Sequence, residues 1–487
     1  MYRLTPLLAP SVKHFLHTYA DLTTLPLSFG SPLNLLFPAS MTEAAKAFVQ
    51  TLERHHLQGK VHFAHKPNKS NALVKQAYYD HIAIDVASKA ELIDALEAGF
   101  TGEMIEATGP KNKAFLLLAL QQRCSIVVDS FDELELLLHY MSALHLNAPA
   151  AILIRWNGLH SHKQHVLAKD SRFGIHVSRF NEVMALCRDS RIDLRGFAFH
   201  IDTTSESEKV AAIEHTLLLL LQAQEEGFPL TILNIGGGFK VNYLAYQQEW
   251  DAYTSAIKQS IAGEIPSLTW NNTGYGFKLV DGQVRGAPNY YQYYNSIAGH
   301  TFLDHLLATP LERFEQRTVA QVLNDLMLEL WIEPGRALLD QCGLTLATVT
   351  FVKRSLKGEW LVGLDMNKSN LSSVEDEMLC DPIVISCHDQ PPEDYTPEQG
   401  VYFVGNLCQE HDLIYRHKTF LPRLPRRDDL VIFVNTAAYH MDFNESASIQ
   451  HPTAKKLVVV ATGATNFCLY EDHLYHPFLI HTHKGEK

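Results

Sequence analysis

Two neighbouring stretches, Val61-His62-Phe63-Ala64-His65-Lys66-Pro67-Asn68 and Ile82-Ala83-Ile84-Asp85-Val86, decide how this chain folds. Each is a short, mostly apolar run of strand length with a charged residue at or near its end, Lys66 in one and Asp85 in the other. Between them, Ser70 to Tyr79 carries helical spacing, and after them Lys89 to Ala98 does so again until Gly99 stops it. Strand, helix, strand, helix is the signature of βαβ units and a parallel sheet. Outward from this pair the cycle continues through Met104–Ala107, Ser125–Val128, Ala150–Arg155, Arg195–Phe199, Leu230–Ile235 and Met327–Ile332. A helical pattern beginning at Thr42 precedes the first strand, and a polar loop, His160 to Asp170, follows the fifth. Eight strands are the number that closes a (β/α)8 barrel, although periodicity alone also allows a doubly wound open sheet.

Past Gly335 the texture changes. Leu344–Lys353, Glu359–Asp365, Ile383–Ser386, Val401–Val404, Leu430–Val434 and Leu457–Val460 read as strands with little helix between them. The expected architecture is α/β, a TIM-like barrel over 41–335 followed by an all-β C-terminal domain over 336–487. Residues 1–40 form an N-terminal segment expected to pack with the β domain. Residues 266–310 hold Trp270, Tyr275, Phe277, Tyr290, Tyr291, Tyr293 and Tyr294 among Gly and Asn, too long and aromatic for a plain connection, and read as an ordered insertion.

The chain has 487 residues, 46% apolar and 20% charged, with 41 Lys plus Arg against 54 Asp plus Glu, a formal net charge of -13. Such an acidic chain with scattered basic residues lacks the footprint of a nucleic-acid binder and is repelled by anionic lipid. The densest apolar run, Leu217–Leu221, is far short of the ~20 residues that span a bilayer. Pro6, Pro10, Lys13, His14 and His17 interrupt any signal-peptide core. Seven cysteines (124, 187, 342, 380, 387, 408, 468), an odd number without a Cys-x-x-Cys pair, fit free thiols in a reducing cytoplasm better than disulfides or a metal site.

Chemistry-bearing residues stand where the strands end, the rim on which barrel enzymes collect their catalytic groups. Lys66 follows the first strand; its amine either snorkels from the mouth or, with a depressed pKa, forms a Schiff base with an aldehyde cofactor. Gly236-Gly237-Gly238 follows a later strand, as a tight turn or as a backbone cradle for a phosphate. Glu333-Pro334-Gly335-Arg336 ends the last strand, offering a carboxylate for a protonated ring nitrogen and an Arg for phosphate, or an internal ion pair. His200 would share this rim.

In order and spacing these features resemble the pyridoxal-phosphate decarboxylases of the alanine racemase-like fold (fold type III): diaminopimelate, ornithine and arginine decarboxylases and their siderophore-pathway relatives. The resemblance spans roughly residues 25 to 475. Phe63–Asn68 is similar to the family's cofactor-lysine motif, which implies that Lys66 is the Schiff-base residue. Ile84–Leu92, with Asp85 as a cofactor-binding position, resembles the Asp-x-Ala-Ser stretch, and Ser171–Ile175 the Ser-Lys-Phe-Gly segment. By the same resemblance His200 stacks on the pyridine, Gly236–Gly238 hold the phosphate, Glu333 pairs with the ring nitrogen, and Arg336 and Tyr439 lie near the phosphate. Gly405–Asp412 resembles the motif that enters the partner subunit's site, which implies a homodimer. Cys408 would then be a proton donor, with Glu410 and Asp412 contacting substrate.

The resemblance implies decarboxylation of a diamino acid or of a diamino-acid conjugate through pyridoxal 5'-phosphate. Glu333 argues against a racemase of the same fold, which places an Arg near the ring nitrogen. Joint presence of Lys66, His200, Glu333, Arg336, Cys408 and Tyr439 argues against a non-catalytic regulator. Four departures fall on the substrate side or near it: Gln409 directly after Cys408; Asp202 where a Gly is usual, near the phosphate; His440-Met441-Asp442-Phe443-Asn444 after Tyr439; and the 266–310 insertion, which either covers the mouth or packs on the barrel or a partner.

Overall fold

The structure is a computed structural model that describes residues 2–145, 148–160, 171–201, 203–371, 378–388 and 395–482. Asp202 and most of the polar loop expected at 160–170 lie outside the described residues.

Eight parallel strands form the barrel: Gly59–Ala64, Ala83–Val86, Ile105–Ala107, Ser125–Val128, Ala150–Asn157, Ile192–Ala198, Ile232–Asn234 and Glu329–Ile332. Each pairs with the next, and the last returns to the first with Leu330 opposite Gly59, so the sheet closes. That decides the question left open by periodicity, and the open sheet is excluded. Inside, Val127, Leu153, Ala198, Ile232 and Trp331 make a small separate apolar layer, while the outer helices pack on a core continuous with the second domain. Local chemistry starts the helices where the sequence puts Ser. Ser70 accepts from the Leu73 amide and Ser88 from that of Glu91, each satisfying an orphan donor of the first turn. Gly99 ends its helix in the left-handed region at φ 108°, a conformation free of steric cost only for Gly. The helix read from Thr42 in fact opens at Pro38, whose ring suits a first helical turn.

The β domain is one sheet in the order Ile383–Ile385, Leu430–Val434, Gly343–Arg354, Leu33–Leu36, Lys455–Ala461, Phe467–Glu471, with Trp360–Leu364 and Val401–Val404 attached at its side. Leu33–Leu36 sits in the middle, antiparallel to Gly343–Arg354 and parallel to Lys455–Ala461. Its four residues are buried on both faces, so this N-terminal strand completes a sheet otherwise built from the far end of the chain. The 266–310 stretch divides. Gly299–Ala308 is a helix that buries Phe302, Leu303, Leu306 and Leu307 and packs on the helix Pro38–Arg54, so it belongs to the barrel wall. The remainder forms a hairpin, Phe277–Val280 with Gln283–Gly286, and an aromatic strap joining the two domains. Trp270 donates its amide to the Arg416 carbonyl, and the Lys418 amide donates to Leu268.

Beside that strap, His417 is 1% exposed, lies parallel on the Tyr415 ring at 4.0 Å, and has no hydrogen-bond partner at either ring nitrogen. Burial pushes its imidazole down to about 3. A group held below its unfolded value of about 6.5 contributes a penalty that grows as pH falls, because only the unfolded chain takes the proton. We expect His417→Phe to remove about 2 kcal/mol of the wild-type loss in unfolding free energy between pH 8 and pH 5. Urea titrations at both values check it; an identical pH dependence in the two proteins would refute it.

Candidate active site

Consecutive strands deliver their ends to one mouth of the barrel. After Ala64 the chain turns sharply: the His65 amide donates to the Asp85 carbonyl at 3.0 Å, and Asn68 N returns to His65 O at 3.1 Å. The Asn68 amide then reaches the β domain, donating to Ala437 O at 2.7 Å. This turn presents Lys66, which is exposed to the mouth. Burial in the barrel pulls its ammonium down, but the Tyr439 phenol and the Asp85 and Glu333 carboxylates carry it above its ordinary value. The depressed amine expected from the sequence is therefore not what the site holds, because three acidic groups surround it.

The carboxylates are arranged through one amide. Asn234 Nδ2 donates to Glu106 Oε1 at 2.7 Å and to Glu333 Oε1 at 2.8 Å, and Asn234 Oδ1 accepts from the Gly236 amide at 2.8 Å. Every donor and acceptor of Asn234 that matters here is used, so the Glu333 carboxylate and the glycine loop are fixed to the same side chain. Glu106 is wholly buried, and burial with its neighbours Glu333 and Asp85 raises it well above the carboxylate range. Asp85, bonded by Thr108 Oγ1 at 2.5 Å, is pushed up to about 7 by burial and then by Glu333.

His200 is neutral. Burial and the fields of Lys66, Arg155 and Lys209 hold it well below its usual value. Its Nδ1 accepts from the Gly237 amide at 3.1 Å, which puts the remaining ring proton on Nε2. The loop beneath it needs glycine at each position. A Cβ would stand 2.6 Å from His200 Nδ1 at Gly236, 2.7 Å from Glu333 O at Gly237 and 2.8 Å from Thr203 O at Gly238. The amides of Gly236 and Gly237 are spent internally, so of the three only that of Gly238 is left, among the described residues, without an acceptor.

Arg336 lies with its guanidinium 4.5 Å from the Tyr291 ring and 5.0 Å from that of Tyr439, and donates to Tyr243 OH at 3.3 Å. Tyr291 comes from the 266–310 segment, which thus supports the mouth of its own barrel. Tyr439 reaches in from the β domain with its backbone in the left-handed region at φ 68°, its amide donating to Pro67 O at 2.8 Å. The unusual residues after it have a use here. Asp442 accepts from the Lys69 amide at 3.0 Å and pairs with Lys456, tying the Lys66 turn to the β domain.

Cys408 and Glu410 are exposed on a β-domain loop, and none of the contacts found among the described residues joins them to the Lys66 group. Asp412 braces the same loop. It is buried, with Oδ1 taken by the Lys368 amide at 2.8 Å and Oδ2 by that of Leu407 at 2.7 Å. Its carboxylate holds the Cys408 loop in shape. Sequence reading also passed over Glu106 and Arg155, whose signal was a charge inside an apolar barrel strand. Arg155 pairs with Asp129 at 3.3 Å and lies 4.8 Å from the Phe173 ring, which explains the Ser171–Ile175 motif as its clamp.

Residues 39–271 match the family described as pyridoxal-dependent decarboxylase, pyridoxal binding domain. Over those residues the chain is similar to the pyridoxal-phosphate decarboxylases of fold type III. An uncharacterized protein of Sinorhizobium fredii is 28% identical over 99% of this chain and 97% of its own length. The diaminopimelate decarboxylase of Staphylococcus aureus is 23% identical over 86% of both chains. Among solved structures, diaminopimelate decarboxylase from M. jannaschii in complex with L-lysine superposes with a TM-score of 0.69 at 17% identity, covering 96% of this chain and 94% of its own. At that identity the likeness concerns the fold. The cofactor of this decarboxylase family is pyridoxal phosphate. Among the described residues no helix is long and apolar enough to cross a membrane.

Proposed function

We propose that this chain removes a carboxylate as CO2 from a diamino acid, or from a conjugate ending in one. The observation that carries the reading is the Glu333 carboxylate, locked by Asn234 on the same mouth as the Lys66 amine. The residues fit the cofactor. Lys66 would hold its aldehyde carbon, Glu333 its ring nitrogen and His200 its ring face, with Gly238, Arg336 and Tyr439 around its phosphate and Asp85 setting the field beside Lys66. When bound, pyridoxal phosphate supplies an electron-withdrawing ring that takes up the electron pair left on the substrate α-carbon.

The protein's own residues do the rest. Glu333 favours a protonated ring nitrogen, because an adjacent anion stabilises a cation. Neutral His200 adds no charge above the ring and directs its one N–H away from the glycine loop. Cys408 would return a proton to the α-carbon after CO2 has left, and exposed Glu410 would meet the distal end of the substrate. Both stand apart from the Lys66 group of their own chain, which supports two copies sharing their sites, with the Asp412-braced loop entering the partner. Mixing Lys66→Ala chains with Cys408→Ala chains should then restore up to about a quarter of wild-type activity through hybrid dimers; no recovery would show that the sites are not shared. Seven free thiols suit a reducing cytoplasm.

Diaminopimelate, lysine and ornithine are named in the relatives' and structural neighbours' activities, and they set the assay. The holoenzyme is incubated with each, and with arginine, while CO2 and the configuration of recovered amino acid are followed. Release of CO2 from at least one supports the reading. Inversion without CO2 would make the chain a racemase, and no reaction of any kind by a loaded protein would leave it a cofactor-binding protein.

A further inference from the structure

Behind the glycine loop lies a charge that nothing above uses. Lys209 sits in the first turn of the helix Glu206–Glu225, the end whose dipole disfavours a cation. Its side chain is 1% exposed. Nζ donates to Gly237 O at 2.6 Å and lies 5.7 Å from the Phe239 ring. Among the described residues no carboxylate comes within ion-pair distance of it. Enclosing an ammonium with one carbonyl and one ring face is costly, and such groups are normally found beside an anion. Burial pulls it down to about 8, and the field of Glu333, across the mouth, is what opposes that. The amine is pressed against the loop: a Cβ on Gly238 would stand 3.1 Å from Nζ, and Gly238 is the glycine whose amide is left without an acceptor.

We infer that Lys209 is the counter-charge for the phosphate of pyridoxal phosphate, acting through and around the glycine loop from its buried side. The inference rests on the cofactor reading above and goes beyond it by naming a positioning residue that no motif marks. With the dianion present, the buried ammonium gains its missing partner in a low-dielectric setting, where charge–charge attraction is strong. Without it, the same ammonium is a liability of the empty protein. A lysine that merely straps the loop could be replaced by a neutral donor, so Lys209→Gln would then keep the preference for phosphate.

The test compares pyridoxal 5'-phosphate with pyridoxal, which lacks the phosphate, in titrations of wild-type and Lys209→Met apoprotein followed by absorbance. Lys209→Met should weaken the phosphorylated ligand about 10- to 100-fold and leave pyridoxal within about twofold. The urea midpoint of the Lys209→Met apoprotein should be equal to or above that of wild type. Lys209→Arg, which keeps the charge, should retain most of the preference for phosphate, and serves should Lys209→Met fail to fold. Equal weakening of both ligands, or no change in either, overturns the inference and leaves the cofactor assignment standing. Wild-type protein that binds neither ligand would bring down the cofactor reading, and this inference with it.

Discussion

Lys66→Ala should give a colourless protein that no longer forms a covalent adduct with pyridoxal phosphate on borohydride reduction, with turnover down on the order of 10^4-fold or more. The size follows from two losses at one atom. On the proposed reading the amine anchors the aldehyde carbon, and it carries the positive charge that Tyr439, Asp85 and Glu333 favour. Removing it leaves these acids facing each other without a counter-charge. Asp85, whose elevation Lys66 opposes, should then hold its proton more tightly still. The fold should survive, because the turn is held by backbone bonds of His65 and Asn68 and by the Asn68 bond to Ala437. Absorbance, reduction with mass measurement and a urea midpoint decide it. A persistent visible band or a trapped adduct elsewhere would mean that the anchor is another residue.

Glu333→Ala should retain the cofactor and lose about 10^2- to 10^3-fold in kcat, the scale of one preorganised electrostatic contact. The neighbouring acids do not replace it. Glu106 already bonds Asn234 through one oxygen and points the other at no hydrogen-bond partner, 3.8 Å from His62 Nε2. Removing Glu333 also lifts one repulsion from Asp85 and Glu106, so both should ionise more readily. The variant should therefore be no less stable at neutral pH, while Asn234 keeps its bond to Glu106 and the one from the Gly236 amide. A cofactor titration beside the rate measurement separates binding from turnover. A rate within about threefold of wild type would show that the carboxylate does not serve the ring nitrogen.

The two lines of reasoning meet at the barrel rim. Lys66, Glu333 and the glycine triplet were legible because each interrupts an apolar strand at its end, where an unpartnered charge or a run of three glycines is costly without a use. Glu106 was overlooked although it obeys the same rule, since in a three-residue strand one buried charge looks like an edge residue, and Arg155 because it stands half-buried near the end of its strand. The bracing role of Asp412 was not legible for a different reason. The two backbone amides that bond its carboxylate come from Leu407 and from Lys368, 44 residues away in sequence.

By itself the sequence determined the alternation of strand and helix, the change to an all-β second half, and the rim residues of the barrel. Those properties depend on spacing within one element, which the order of residues carries directly. Only the tertiary structure decided that the sheet closes from Leu330 to Gly59, that Leu33–Leu36 completes the distant sheet, and that Gly299–Ala308 is barrel wall. It alone joined Asn234 to Glu106 across 128 positions and set Lys209 behind Gly237. Such contacts arise when separate elements exclude water from the space between them, and the partners they select are near in space while remote along the chain.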